Sequence, residues 1–475
     1  MERESLDRAV KAGYTRDVIS TEAMDQPSQR KAEVSTLFPI LDPSSPDSAV
    51  PAPTGRPRVK RANRHQIAMR TVALDALLPE DHQARLVWEY VEELDLAPLY
   101  EPIRAVEGHA GRDAIDPKIL MAVWLYATLD GVGSARQLDR LCRDHVAYQW
   151  LCGGVSVNYH TLSDFRTAQP AFLDELLTQS VATLMHEELV TLHRVAQDGM
   201  RVRASAGAGS FRRRKTLEQC QAEAEDQVEA LQKDLDADPG GSSKRQQAAR
   251  GRAARERSQR IRRALAELED VESKKKAAEK DKARASTTDP EARVMKMGDG
   301  GFRPAHNVQF ATDTDSQVIT GVDVVNTGSD QGQMSPMVEQ HQDRYDKVPD
   351  EVLVDGGFAK HEDIEKVSLP EPGTKVYAPV QKPKKDARDP HVPRPGDSET
   401  IAEWRRRMGT PEAKAIYKER ASTAECVNAI ARNRGLRQFL VRGLAKVRAV
   451  ALWFALAHNL MRAVVLRAQA IATAG

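Results

Sequence analysis

Apolar positions along this chain change their period more than once. From 72 to 190 they recur at steps of three and four, the spacing of helices packed by one face. Asp116 followed by Pro117 predicts a helix start, with Ile119, Leu120, Val123, Trp124 and Ala127 inside and a stop near Asp130, before Gly131 and Gly133. Ser134 caps a second helix bearing Leu138 and Leu141, and Asn158 opens a third (NYHTLSDFRTAQ). Helix, tight glycine turn and helix suit a helix-turn-helix DNA-binding unit, and equally a plain packing domain. Residues 1–70 read as an irregular leader, rich in Pro, Ser and Ala over Leu41–Arg58, with a basic end that reads most simply as a solvated linker.

Over 212–285 the helical spacing tightens into Leu217, Cys220, Ala224, Val228, Leu231 and Leu235, then breaks at ADPGGSS and resumes with Ile261, Leu265 and Leu268. This predicts a helical hairpin, a two-stranded antiparallel coiled coil inserted into the chain. Its second arm carries Arg252, Arg255, Arg257, Arg260, Arg262 and Arg263 against Glu256 alone. So nearly single-signed a run points to phosphate contact, with Arg252, Arg255 and Arg260 as candidate DNA-binding residues.

From 300 the chain turns to strands. Val308–Thr312 and Gln317–Val325 flank DTDS as a hairpin, Glu351–Val354 (EVLV) is a buried strand, and Lys375–Val380 another. The segment 72–190 before them reads as all-α.

Composition narrows the function classes. Lys+Arg number 70 and Asp+Glu 69, a formal charge of +1, so any nucleic-acid contact is made through local patches. Four scattered cysteines form no Cys-x-x-Cys pair, and Cys142, His145, Cys152 and His160 fit no zinc spacing. The N-terminus lacks a signal-peptide core, and the longest apolar run, Ala449–Ala457, is roughly half of a membrane span. The expectation is a soluble cytoplasmic protein with no membrane partner.

Three acids stand out by position. Asp198 follows the strand-like run Arg194–Gln197 and precedes Gly199, Asp355 ends EVLV before two glycines, and Glu425 lies in a helix. Strand-end carboxylates beside glycine sit where a ligand can approach a sheet. Asp before Gly also serves simply as a turn residue. If the three converge, their oxygens suit hard divalent ions of the kind that run phosphodiester displacement.

QDGMRV around Asp198, VDGGF with Asp355, Gly357 and Phe358, and Tyr417, Arg420, Glu425 and Arg432 towards the C-terminal part together resemble the DDE transposases of bacterial insertion sequences, of the type with a Tyr-Arg-Glu-Lys signature. HTLSDFR at His160–Arg166, HNVQFATD at His306–Asp313 and LAHNLMRAV around His458 and Asn459 extend the resemblance over about 72–467. It departs in having four residues between Arg420 and Glu425, where the family has three, and Arg432 where the family has Lys. Glu419 competes as third acid. It lies between Tyr417 and Arg420 and cannot face the same way as both, so Glu425 is preferred.

The resemblance implies an RNase H-like α/β catalytic domain over 191–211 and 286–470, with a mixed five-stranded sheet whose first strand carries Asp198, split by the helical hairpin and preceded by the all-α segment 72–190. It implies Asp198, Asp355 and Glu425 as catalytic residues holding two Mg²⁺ or Mn²⁺ ions, with Arg420, Arg432 and Tyr417 at the phosphates. The implied substrate is double-stranded DNA, cut at the ends of an element and joined to target DNA through a free 3′-hydroxyl, by a homodimer or larger assembly on DNA. The alternatives are a catalytically inactive DNA-binding relative and an RNase H-like nuclease that only hydrolyses.

Overall fold

The computed structural model describes residues 71–105, 112–237, 243–369, 373–381 and 389–474. The leader expected over 1–70 lies outside the described residues, as do 238–242 of the hairpin break and 382–388 of the polar loop that follows the last strand.

The first helices are α1 (Gln83–Glu93), α2 (Pro117–Leu129), α3 (Ala135–Asp144), α4 (Val146–Cys152), α5 (Tyr159–Ala168) and α6 (Pro170–His186). Their starts follow the predicted caps. Asp116 accepts the Lys118 amide at 2.8 Å, and Asn158 accepts those of His160 and Thr161 at 3.0 and 3.1 Å. Helix α2 stops because Gly131 adopts a left-handed conformation (φ +74°), which lets the Val132 amide return to Ala127. Helix α4 was not anticipated from the pattern: seven residues are too few to display a period.

Strand β1 (Arg194–Arg203) leads through a short ribbon, in which Phe211–Arg212 pairs with Ala285–Ser286, into helices α7 (Arg214–Ala237) and α8 (Lys244–Ser273). These two form the antiparallel hairpin, with Leu217, Ala264 and Leu268 buried between its arms. The facing arm answers part of the basic run: Arg262 bonds Glu225 at 2.9 Å and Arg257 bonds Gln227 at 2.9 Å. In the other direction Arg214 of α7 meets Glu272 of α8 at 2.6 Å.

The sheet has six strands where five were expected. The added one is β2 (Arg293–Lys296), too short and too polar to stand out in the pattern. Strand β3 (Phe302–Asp313) pairs antiparallel with β1 on one side. On its other side it pairs with β2 along its first residues and with β4 (Ile319–Val325) along the rest. Helix α9 (Met334–Tyr345) leads to β5 (Glu351–Leu353), which runs parallel to β1. Helix α10 (His361–Ser368) then leads to β6 (Lys375–Tyr377), parallel to β5.

The chain ends in helices α11 (Glu399–Gly409), α12 (Pro411–Arg420), α13 (Cys426–Asn433) and α14 (Leu444–Ala474), with a π turn at Ala421–Glu425 joining α12 to α13. Helix α14 is long and apolar enough to cross a bilayer by length and composition, well beyond the run noted in the sequence. Protein covers its apolar stretch instead. Leu452, Trp453, Phe454 and Leu456 are buried in one core with α2, α6 and β4, and the Phe454 ring lies 5.5 Å from that of Phe310 on β3.

Two motifs in α5 and α14 secure this packing. Arg166 lies over the Trp124 ring at 4.7 Å and donates to the Gly133 carbonyl. Asn459 bonds both the amide and the carbonyl of Ile319, at 2.8 and 2.7 Å, as a neighbouring strand would.

Candidate functional site

Asp198 does not end its strand. It lies in the middle of β1, which runs on to Arg203 against β3. On the other side, however, the pairing with β5 stops at Ala196 opposite Leu353. Two residues further along each strand come Asp198 and Asp355. Parallel register thus brings the two acids to neighbouring positions just past the end of β5, and alternation gives each the face of its strand's last paired residue.

The opposite face of β1 belongs to a polar cluster. Arg201 meets Asp330 at 2.8 Å, and Asp330 also takes hydrogen bonds from Asn307 and Gln309. Gly199 is required there, because a Cβ would stand 2.6 Å from Gln309 Nε2 and 2.9 Å from Asn307 Oδ1 and run into Asp330. HNVQFATD therefore works structurally: Asn307 and Gln309 hold Asp330, and His306 pairs in the core with Asp289 at 3.2 Å.

Helices α12 and α13 bring the third acid. Arg420 Nη2 lies 3.1 Å from Asp198 Oδ1, and its Nη1 donates to Glu425 Oε1 at 2.8 Å. One guanidinium thus joins the β1 acid to the helix acid. Asp198 Oδ1 also accepts its neighbour's amide, from Gly199, and Oδ2 accepts from Asn428 Nδ2 at 2.8 Å. Asn428 was missed in the sequence. The available signal was its place one turn beyond Glu425, on the same helix face.

Glu419 points elsewhere. It meets Arg194 at 2.6 Å, and Arg194 also holds Glu351.

The acids, Arg420 and Tyr417 share one electrostatic environment. Burial pushes the Asp198 carboxyl above its usual range, Arg420 and Asn428 draw it down, and Asp355 pushes it up again. Burial works against the charge of Arg420, yet Asp198, Tyr417, Asp355 and Glu425 outweigh it and hold its pKa above the ordinary value. Burial, with Asp355, Glu425 and Asp198, raises the Tyr417 phenol against the pull of Arg420, so it stays protonated as a donor.

Of the other candidates, Arg432 is exposed two turns beyond Glu425 on the same helix face. Arg252 and Arg255 are exposed on α8, and Arg260 lines a cleft of about 470 Å³ in which Arg263, Arg442 and Lys446 alternate with Asp164, Glu256, Asp289 and Glu291. No hydrogen bond or ion pair among the described residues links these hairpin arginines to the acids.

The donor chemistry fits hard divalent ions: the facing groups are carboxylate oxygens. As they stand the acids are spread around Arg420, and among the described residues no three His, Cys, Asp or Glu side chains close on a common point. Cys142 and Cys152 are buried neighbours, and the hydrogen bond between them pushes the Cys142 thiol up and the Cys152 thiol down.

Residues 72–168 match the family model described as a transposase domain (DUF772), and residues 384–464 match the model described as a transposase DDE domain. Both matches are to transposase domains. Together they support an insertion-sequence transposase, and the second implies a nucleic-acid-processing enzyme. The second includes Tyr417, Arg420, Glu425, Asn428 and Arg432, while Asp198 and Asp355 lie outside both matches. No curated protein and no solved structure matches the chain.

Proposed function

We propose that this chain is a DDE-type transposase that cuts at the ends of a DNA element and transfers the freed 3′-hydroxyl into target DNA. The observation that carries this reading is the guanidinium of Arg420 held between Asp198 and Glu425, with Asp355 beside Asp198 in register. An antiparallel run β4–β3–β1 continued by parallel β5 and β6 supports an RNase H-like sheet.

Asp198, Asp355 and Glu425 would hold two Mg²⁺ or Mn²⁺ ions, which when bound stabilise the entering and leaving oxygens of an in-line displacement. Asn428 keeps Asp198 turned toward the site. Arg420 and Arg432 take phosphate oxygens by charge-assisted hydrogen bonds, and Tyr417 donates from its neutral phenol. The cleft with Arg260, and the exposed Arg252 and Arg255, would hold backbone phosphates away from the cut. Two element ends call for two copies of the chain on DNA, in the cytoplasm with the nucleoid.

The test uses a supercoiled plasmid carrying the gene with its flanking DNA, incubated with the protein and Mg²⁺. Cut ends and joined products are expected, and Asp198→Ala, Asp355→Ala and Glu425→Ala should abolish both. Cutting without joining would make the protein a nuclease. Binding without either, unchanged by the three substitutions, would make it a DNA-binding relative.

A further inference from the structure

We infer that Arg420 is a built-in competitor for the divalent ions, and that a DNA phosphate promotes metal uptake by drawing its guanidinium off Asp198 and Glu425. This rests on the reading that the three acids bind metal.

A guanidinium carries its charge at every working pH, so the cluster always contains one cation of its own. It is well seated on the acids, 3.1 Å from Asp198 and 2.8 Å from Glu425, with its side chain only 10% exposed. Asp198 is already engaged on both oxygens. Oδ1 accepts the Gly199 amide and lies 3.1 Å from the Arg420 guanidinium as an ion pair, and Oδ2 accepts from Asn428. A metal ion can use Asp198 fully only if Arg420 gives way. Like charge within a few ångströms in a partly buried site opposes the incoming ion as well.

Arg420 is itself incompletely satisfied. Its Nε is buried with no hydrogen-bond partner. A phosphate offers several charged oxygens to the same planar fork and would engage donors that the two acids leave idle. Glu425 is 57% exposed, so the guanidinium has an open side by which to leave. The coupling is reciprocal: whatever factor DNA adds to metal affinity, metal adds to DNA affinity.

The test is Mn²⁺ binding to the full chain, read from the free-ion electron paramagnetic resonance signal, with folding checked by circular dichroism. Arg420→Gln and Arg420→Ala should bind Mn²⁺ about tenfold or more tightly than the unaltered protein, and Arg420→Lys should stay near it. A short duplex from the gene's flanking DNA should raise Mn²⁺ affinity several-fold in the unaltered protein and leave Arg420→Gln unmoved. If neutral variants bind Mn²⁺ equally or more weakly, or if DNA has no effect on the unaltered protein, Arg420 is a scaffold and the inference is overturned. Asp198→Asn separates the two levels. If it weakens Mn²⁺ binding while Arg420→Gln does not strengthen it, only the competition fails. If it changes nothing, the metal-binding reading fails too.

Discussion

Arg420 and Glu425 are five residues apart and meet at 2.8 Å, because the backbone between them is a π turn over Ala421–Glu425. Five α-helical steps would set them about 140° apart around the axis, whereas the wider π turn returns them to one face. The extra residue that separates this chain from the Tyr-Arg-Glu-Lys spacing is absorbed here. Deleting exposed Ser422 should therefore leave a regular helix in which Arg420 and Glu425 still meet at a four-residue step. We expect the deletion to keep the fold and part of the activity, and insertion of one alanine after Ser422 to abolish activity. Thermal unfolding and plasmid cleavage check both.

Glu419 and Glu425 should separate cleanly. Glu419→Gln weakens only the pair with Arg194, which keeps Glu351. Glu419 is 43% exposed, so the expected cost is under about 1 kcal/mol with cleavage retained. Glu425→Gln should lower cleavage by about 10³-fold or more at little cost in stability. The opposite ranking would move the third acid to Glu419.

Asn428 acts through Asp198. Asn428→Ala leaves Asp198 Oδ2 without its donor at 2.8 Å and frees the carboxylate to turn. Metal affinity and cleavage should both fall about 10- to 100-fold. Mn²⁺ titration alongside cleavage kinetics measures the two.

Gly199→Ala tests the face of β1 opposite the acids. The added methyl meets Asp330, Gln309 and Asn307, which are bonded to one another or to Arg201 and cannot move independently. We expect a loss of about 1–3 kcal/mol in urea unfolding.

Two buried histidines set an acid limit on stability. Burial pushes His341 and His458 down to about 4, while the unfolded chain protonates them near 6.5. Between these values the unfolded state binds more protons, so stability is full above about pH 7 and is lost as pH falls from 6.5 toward 4. From pH 7 to 5 each should cost about 2 kcal/mol. Urea unfolding at the two pH values should show a smaller drop for His458→Gln, which retains a donor for the Gln317 carbonyl.

Whatever depends on residues within one helical turn was legible in the chain. Asp116, Ser134 and Asn158 start helices by bonding amides two or three positions ahead, and Gly131 stops one by reaching a left-handed φ. The hairpin, the late change to strands and the three acids as residue types were readable for the same reason. The site is assembled from longer links. Asp198 and Asp355 become neighbours only through the parallel pairing of β1 with β5, and Asn428 reaches Asp198 across 230 positions. The arginines of α8 met acids on α7 that a charge count along one arm cannot see. Local periodicity records which face of an element is apolar. It does not record which strand lies alongside or where a helix takes an extra residue, because hydrogen bonding between distant segments and the packing of their faces decide those.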